Sequence, residues 1–257
     1  MNGKRRRPGP ALAALLLGAG ALAAAAYFKP MPALEDRALL VSDAAVRVEP
    51  GTAGLAFVPT LSSTSARPKS TGLVFYCGAR IPPEAYAYLA RACAEAGYTA
   101  VLAAMPLNFA ILAPSRALRA AAAYPGVARW VIAGHSLGGA AAAVFAAGKA
   151  GRSVAGLLLL ASYPGMGADL STKSLPVVTV SASRDGLATS ARIAAAGSRL
   201  PAGSRYVEIS GGNHAQFGEY GTQRGDDLAE IPETTQRKAV VDEALGLLDR
   251  IESLAGQ

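Results

Sequence analysis

A Gly-x-Ser-x-Gly pentapeptide joins a short apolar run to an alanine-rich segment. The run covers residues 130–133, the pentapeptide covers residues 134–138, and Gly139 with the alanines at 140–143 follows. Outer glycines allow a turn so tight that the serine takes a strained backbone conformation, with its Oγ raised above the sheet edge. The small residues that follow let a helix pack close beneath. The pattern predicts a buried strand, a sharp turn that presents Ser136 as a nucleophile, and a helix.

A serine hydroxyl needs an adjacent base, and histidine serves best because its pKa lies near neutrality. The chain has two histidines. His135 belongs to the sharp turn itself, so its side chain must leave in a different direction from that of Ser136. His214 lies in the loop after residues 205–209, which read as the last strand. His214 is therefore the predicted base.

The acid that orients this base should lie between the serine and the histidine in the chain order Ser, Asp or Glu, His. Three carboxylates lie there, Asp169, Asp185 and Glu208. Glu208 alternates toward solvent inside the last strand, and Asp169 lies in a short Gly-rich connection. Asp185 ends the turn after a β-branched run at 177–180, at the carboxyl end of a predicted strand. Asp185 is the predicted acid, with Asp169 as the alternative.

Two backbone N–H groups are needed to stabilise the oxyanion that forms during acyl transfer. Leu137 N–H follows the nucleophile directly at the start of the helix. The second donor should come from the loop after an early strand. Residues 73–76 read as that strand and residues 77–80 as the loop. The predicted second donor is Ala79 N–H.

Alternating strand and helix patterns predict an α/β fold with a mostly parallel sheet and crossover helices on both faces. An antiparallel pair at 41–48 and 55–58, with a turn at Pro50 and Gly51, should precede the parallel strands. The predicted parallel strands are 73–77, 99–104, 130–133, 154–161, 176–181 and 205–209, and the predicted helices are 83–96, 115–123, 137–150, 188–197 and 234–254. The connection at 162–175 is short, which predicts a minimal cap over the site.

With these segments in view, the chain resembles the α/β-hydrolase superfamily. It is similar, more narrowly, to a bacterial group of small carboxylesterase-like or dienelactone-hydrolase-like proteins. The resemblance covers roughly residues 70–250 and is carried by residues 75–79, 105–108, 130–139, 183–189 and 211–221. It implies an α/β-hydrolase fold and the triad Ser136, Asp185 and His214. One departure is Cys77, a position at which the group more often has proline.

A basic run at residues 4–7 precedes an uncharged apolar stretch at residues 11–28. This order is typical of an export signal or a membrane anchor. Alanines at 24–26 would satisfy an A-x-A cleavage rule, but the stretch is long for a cleaved signal, so a retained anchor is favoured. The expected organisation is a signal or anchor segment at 1–30 and a catalytic domain at 38–257. That domain should face outside the cytoplasm, membrane-anchored or secreted.

The net charge of +7 is concentrated at the N-terminus, where residues 1–30 hold five cations and no anion. The remainder carries only +2, which gives no support to nucleic-acid binding. An acidic cluster of Asp226, Asp227, Glu230 and Glu233 matches no calcium loop and is interpreted as a solvated surface segment. No metal or organic cofactor is implied.

Cys77 and Cys93 are the only cysteines. One ends a strand and the other lies well inside the next helix, so a disulfide would require the helix to fold back closely on the strand. Buried free thiols are the expected state, and a disulfide is the alternative.

Two apolar stretches, 105–112 and 162–166, follow strands and are expected to line the pocket, with Leu107, Asn108, Phe109 and Tyr163 as lining residues. The predicted reaction is hydrolysis of small to medium carboxylic esters through an acyl-enzyme on Ser136. The alternatives are an envelope acyltransferase with the same triad and a non-catalytic, membrane-anchored binding module on a hydrolase fold. The natural ester and the oligomeric state stay open.

Overall fold

The computed structural model describes residues 29–33, 37–60, 68–165 and 167–254. The predicted signal or anchor stretch at 11–28 lies outside the described residues. The chain divides between Pro30 and Met31 into two units, and all the described helices and strands belong to the second, Met31–Gln257. Among the helices that are described, none has the length and apolar character needed to cross a bilayer.

Eight strands form one sheet, in the order β1-β2-β4-β3-β5-β6-β7-β8. The pairs β1–β2 and β2–β4 are antiparallel, and every other pair is parallel. The strands are β1 Val46–Gly51, β2 Gly54–Pro59, β3 Thr71–Tyr76, β4 Thr99–Ala103, β5 Arg129–His135, β6 Val154–Leu160, β7 Val177–Ala182 and β8 Arg205–Ile209. This mostly parallel sheet confirms the predicted fold class.

Helices cover both faces of the sheet. They are α1 Ala87–Glu95, α2 Ala117–Ala123, α3 Leu137–Ala147, α4 Ser190–Ala195 and α5 Glu233–Ser253. Because successive strand residues point to opposite faces, Leu73 and Phe75 of β3 join a core with α1 and α5, whereas Val74 and Tyr76 join a second core with α2 and α3. Every residue of β3 is buried, as expected for a strand covered on both sides.

The first strand is shorter than predicted. It begins at Val46 rather than at residue 41, because the Asp43 carboxylate turns the preceding chain. Asp43 Oδ1 accepts hydrogen bonds from the backbone N–H groups of Ala45 and Val46, both at 2.8 Å. The strand also continues through Pro50 to Gly51, at the edge of the sheet, where a proline is tolerated.

The carboxyl ends of parallel strands meet at one edge of a sheet, and binding sites of open α/β sheets lie outside that edge. The loops after β3, β5, β7 and β8 therefore open onto a common edge, and they carry Ala79, Ser136, Asp185 and His214. The connection between β6 and β7 contains no helix or strand among its described residues. Nothing larger than this short connection is inserted there, which fits a minimal cap.

Candidate active site

Ser136 stands at the junction of β5 and α3 with φ 53° and ψ −125°, a strained conformation for a residue with a side chain. Its N–H donates to Leu160 O at 3.0 Å, which fixes the turn on the neighbouring strand. The two outer positions of the pentapeptide leave no room for a side chain. A Cβ on Gly134 would lie 2.6 Å from Gly139 N, and one on Gly138 would lie 2.2 Å from Tyr76 O. Only glycine fits at these two positions, so the motif builds the turn.

His214 and Asp185 form a buried hydrogen-bonded pair. His214 Nδ1 lies 2.7 Å from Asp185 Oδ2, and the two side chains are 1% and 0% exposed. The other oxygen, Asp185 Oδ1, accepts the N–H groups of Leu187 at 2.8 Å and Ala188 at 2.6 Å. Since a carboxylate only accepts hydrogen bonds, Nδ1 carries the proton and donates it. The tautomer leaves His214 Nε2 free to accept a proton, which is the requirement for a general base.

The alternative acid is placed elsewhere. Asp169 is exposed, and its Oδ1 accepts the N–H of Ser171 at 2.8 Å within a local turn. Glu208 is also exposed, on β8. Of the three carboxylates between Ser136 and His214, it is Asp185 that the structure pairs with the histidine.

Ser136 and His214 line the same cavity, which has a volume of about 330 Å³. The other lining residues are mostly small and apolar: Leu137, Ala140, Ala161, Ser162, Tyr163, Gly165, Leu187 and Ala188. No charged side chain is among the described residues that line it. Among the described residues, no hydrogen bond joins Ser136 Oγ to His214. Such an absence is common before substrate binds, because catalytic hydrogen bonds are often long in the free enzyme.

The two predicted oxyanion donors lie at suitable positions in the chain. Leu137 is the first residue of α3, where a backbone N–H has no partner within the helix. In the loop after β3, Gly78 N–H donates to Tyr86 Oη at 3.1 Å. The next amide, Ala79 N–H, donates to none of the described groups. Leu137 lines the cavity of Ser136 and His214, whereas Ala79 is not among the described residues that line it.

Residues 72–238 match the model of the Alpha/beta hydrolase family. The chain belongs to this family. It is accordingly a hydrolase, and the superfamily resemblance seen in the sequence is confirmed. No curated protein matches the hydrolase in sequence.

Solved structures support the same fold. An alpha-beta serine hydrolase homologue from Coxiella burnetii is 18% identical with a TM-score of 0.51, and covers 79% of this chain and 98% of its own. The α/β hydrolase enzyme MGS-M1, from a Medee basin deep-sea metagenome library, is 14% identical with a TM-score of 0.57, and the match covers 82% of this chain and 100% of MGS-M1. Est1E from Butyrivibrio proteoclasticus is 15% identical with a TM-score of 0.52, and the match covers 80% of this chain and 99% of Est1E. At these identities the likeness concerns the fold alone.

Three of the four predicted pocket residues lie outside the cavity. Tyr163 lines it, but Leu107, Asn108 and Phe109 do not. Their segment coils into short 3-10 turns in which Leu107 and Asn108 have positive φ angles, and Leu107 is 60% exposed. Asn108 O accepts the N–H of Arg80 at 2.9 Å, so this segment lies against the loop after β3 instead. The prediction was wrong because the left-handed turn redirects the chain.

His135 is fully buried behind the nucleophile. Its Nδ1 lies 2.8 Å from Tyr86 Oη, and its ring centroid lies 4.5 Å from that of His214. Tyr86 Oη also accepts the N–H of Gly78, so one hydroxyl is hydrogen-bonded to both the turn and the loop after β3. Burial, and then the neighbouring His214, lower the pKa of His135 well below its ordinary value. The ring is therefore uncharged, and it links the sharp turn to the loop after β3.

Both cysteines are free buried thiols, as expected from the sequence. Burial raises the pKa of Cys93 to about 12. Among the described residues, no three or more His, Cys, Asp or Glu side chains are grouped so as to hold a metal ion.

Proposed function

We propose that the hydrolase cleaves small to medium carboxylic esters through an acyl-enzyme on Ser136. The observation that carries this proposal is the shared cavity of Ser136 and His214, in which His214 is held by the buried carboxylate of Asp185. A serine on a strained turn beside an oriented imidazole is the arrangement that nucleophilic acyl transfer requires.

In the first half-reaction, Ser136 Oγ attacks the ester carbonyl carbon while His214 Nε2 takes the hydroxyl proton. The carbonyl oxygen becomes an oxyanion that Leu137 N–H and Ala79 N–H stabilise. Collapse of this intermediate breaks the bond to the alkoxy oxygen, which leaves as the alcohol with the proton from His214. Water then attacks the acyl-enzyme with His214 as its base, and the acid is released with Ser136 regenerated.

The cavity indicates the size and polarity of the substrate. Its volume of about 330 Å³ has room for on the order of ten non-hydrogen atoms, at about 30 Å³ for each water-sized group. Apolar walls from Leu137, Leu187 and the small residues around them favour an uncharged hydrocarbon group, because burying an unpaired charge there would be costly. Esters with a short to medium alkyl chain fit these properties best.

The test is labelling of the full-length chain with a fluorophosphonate, followed by peptide mapping and by turnover of p-nitrophenyl acetate, butyrate and octanoate. We expect the label on Ser136, and its loss in S136A and H214A. The exposed Ser210 provides a matched control, since S210A should retain label and turnover. A folded chain that neither takes the label nor hydrolyses any ester would refute the proposal.

The same assay separates hydrolysis from acyl transfer. With an added alcohol acceptor, a transferase forms a new ester at the expense of free acid, whereas a hydrolase continues to release acid. We expect free acid to remain the main product.

We also propose that residues 1–30 anchor the hydrolase in a membrane with the catalytic domain outside the cytoplasm. The basic run at 4–7 and the apolar stretch at 11–28 support this orientation. Fractionation and the intact mass of the protein from membranes test it. A soluble protein whose mass lacks the first thirty or so residues would show a cleaved signal instead.

A further inference from the structure

The Asp226 carboxylate bonds to both loops that carry the acid and the base. Asp226 Oδ1 accepts the N–H of Gly186 at 3.2 Å and the N–H of His214 at 3.2 Å. Asp226 Oδ2 accepts the N–H of Ala215 at 2.8 Å. Gly186 directly follows Asp185 in the chain, so one side chain holds the backbone at both members of the acid–base pair.

The segment around Asp226 packs directly between these loops. A Cβ on Gly186 would lie 2.5 Å from Gly225 O and 3.2 Å from Asp227 N, so the acid loop contacts this backbone closely. From the base loop, Asn213 Nδ2 donates to Asp227 O at 2.8 Å. The segment 225–227 therefore contacts the acid loop on one side and the base loop on the other, and Asp226 supplies its side-chain link to both.

The two loops also join near the strands, where Arg184 N–H donates to Gly212 O and Gly211 N–H donates to Ser183 Oγ, both at 2.8 Å. These contacts precede the catalytic side chains in each loop. Asp226 binds beyond them, at the residues on which the pairing of His214 with Asp185 depends. Hydrogen bonds from amides to a carboxylate are stronger than those between neutral groups, which suits Asp226 to this task.

We infer that Asp226 is a positioning residue for the reaction, which rests on the function proposed above. Through three backbone amides it fixes the separation of the Asp185 carboxylate and the His214 ring. It thereby directs His214 Nε2 at Ser136 Oγ. Asp226 is absent from the cavity lining, so it contributes to proton transfer rather than to substrate binding.

The experiment compares D226A and D226N with D227N in the full-length chain. D227N makes the same change of charge at the next residue, whose side chain makes none of these contacts. Since a misplacement of about 1 Å can cost on the order of a hundredfold in rate, we expect D226A to lower kcat by roughly ten- to a hundredfold with KM changed less than twofold. D226N keeps one acceptor oxygen and should fall between D226A and the wild type, while D227N should match the wild type.

A spectroscopic readout separates positioning from general stability and from activity. The proton on His214 Nδ1 should give a downfield ¹H NMR resonance in the wild type and in D227N, because it is buried and bonded to Asp185. We expect this resonance to broaden or move in D226A at a temperature at which circular dichroism shows a folded chain.

Unchanged kcat and an unchanged resonance in folded D226A would overturn the inference. If D226A does not fold, D226N decides by the same two measurements. If the wild type has no esterase activity, the proposed function fails, and the resonance alone still tests whether Asp226 holds the pair together.

Discussion

The Tyr86 hydroxyl connects the turn at Ser136 to the loop that carries Ala79, the proposed second oxyanion donor. It accepts the N–H of Gly78 at 3.1 Å and is hydrogen-bonded to His135 Nδ1 at 2.8 Å. Its ring packs against Phe75 with centroids 4.6 Å apart, and the whole side chain is buried. The substitution Y86F keeps this ring packing and removes only the oxygen.

The loss leaves two buried polar groups without partners, Gly78 N–H and His135 Nδ1. Each unsatisfied buried group costs about 1–3 kcal/mol, so Y86F should lose about 2–6 kcal/mol of unfolding free energy. For a domain of this size each kcal/mol lowers the melting temperature by about 2–4 °C. A fall of at least about 4 °C is therefore expected. Because Gly78 precedes Ala79, the proposed oxyanion amide should also be less well fixed, and kcat should fall by roughly tenfold, short of the roughly 10²–10³ that loss of a donor causes.

The assay is thermal and denaturant unfolding of the wild type, Y86F and a matched control, Y88F. The Tyr88 hydroxyl donates only to Phe217 O at 3.0 Å, so Y88F removes one hydrogen bond and strands no buried donor. Y88F should therefore lose only about 1 kcal/mol. If Y86F is no less stable than Y88F and turns over esters at the wild-type rate, this role of the Tyr86 hydroxyl is refuted.

Three further results are expected. Iodoacetamide should label Cys77 and Cys93 only after denaturation, since burial raises the pKa of both thiols. Backbone N–H groups at 45–46, and then Arg91, lower the pKa of Asp43 below its ordinary value of 3.8. The wild type should therefore be more stable than D43N at pH values above 3.8 and lose this advantage as the pH falls through the lowered pKa. In the cavity, A140L should lower kcat/KM for the octanoate ester roughly tenfold more than for the acetate ester.

For each of these predictions, one outcome would contradict the reasoning. Labelling of either thiol in the folded chain, counted by mass spectrometry, would contradict its burial. A stability difference between the wild type and D43N that persists at low pH in urea titrations would contradict the lowered pKa. Equal losses for the two esters in A140L, with an unchanged melting temperature, would show that the acyl chain lies outside the cavity.

The sequence predicts elements well where one local pattern decides them. The apolar runs of β3, β5 and β6 mark buried strands, and the glycines around Ser136 mark a turn that no other residue can make. His214 was identifiable because one eligible histidine remained outside that turn. The start of β1 was misplaced because a single side chain, Asp43, redirects the backbone there.

Other parts of the site depend on contacts between distant segments, and these leave little signal in the sequence. Asp226 belongs to an acidic cluster that was interpreted as solvated surface, yet its partners are backbone amides. Every residue except proline carries a backbone N–H, so the sequence does not mark these partners. The bond between Tyr86 and His135 joins residues 49 positions apart. The cavity residues Leu187 and Ala188 were missed for the same reason, since they follow the acid loop rather than an apolar run.

The buried position of His135 also determines whether a second positive charge can stand beside His214. Their ring centroids are 4.5 Å apart, and a cation on His135 would oppose the imidazolium that forms when His214 takes a proton. At an effective dielectric constant of about 20, two unit charges at this distance repel by on the order of 4 kcal/mol. Burial prevents this by keeping His135 uncharged, while Tyr86 satisfies its Nδ1. The histidine of the turn thus bonds to Tyr86 and adds no positive charge beside the proposed base.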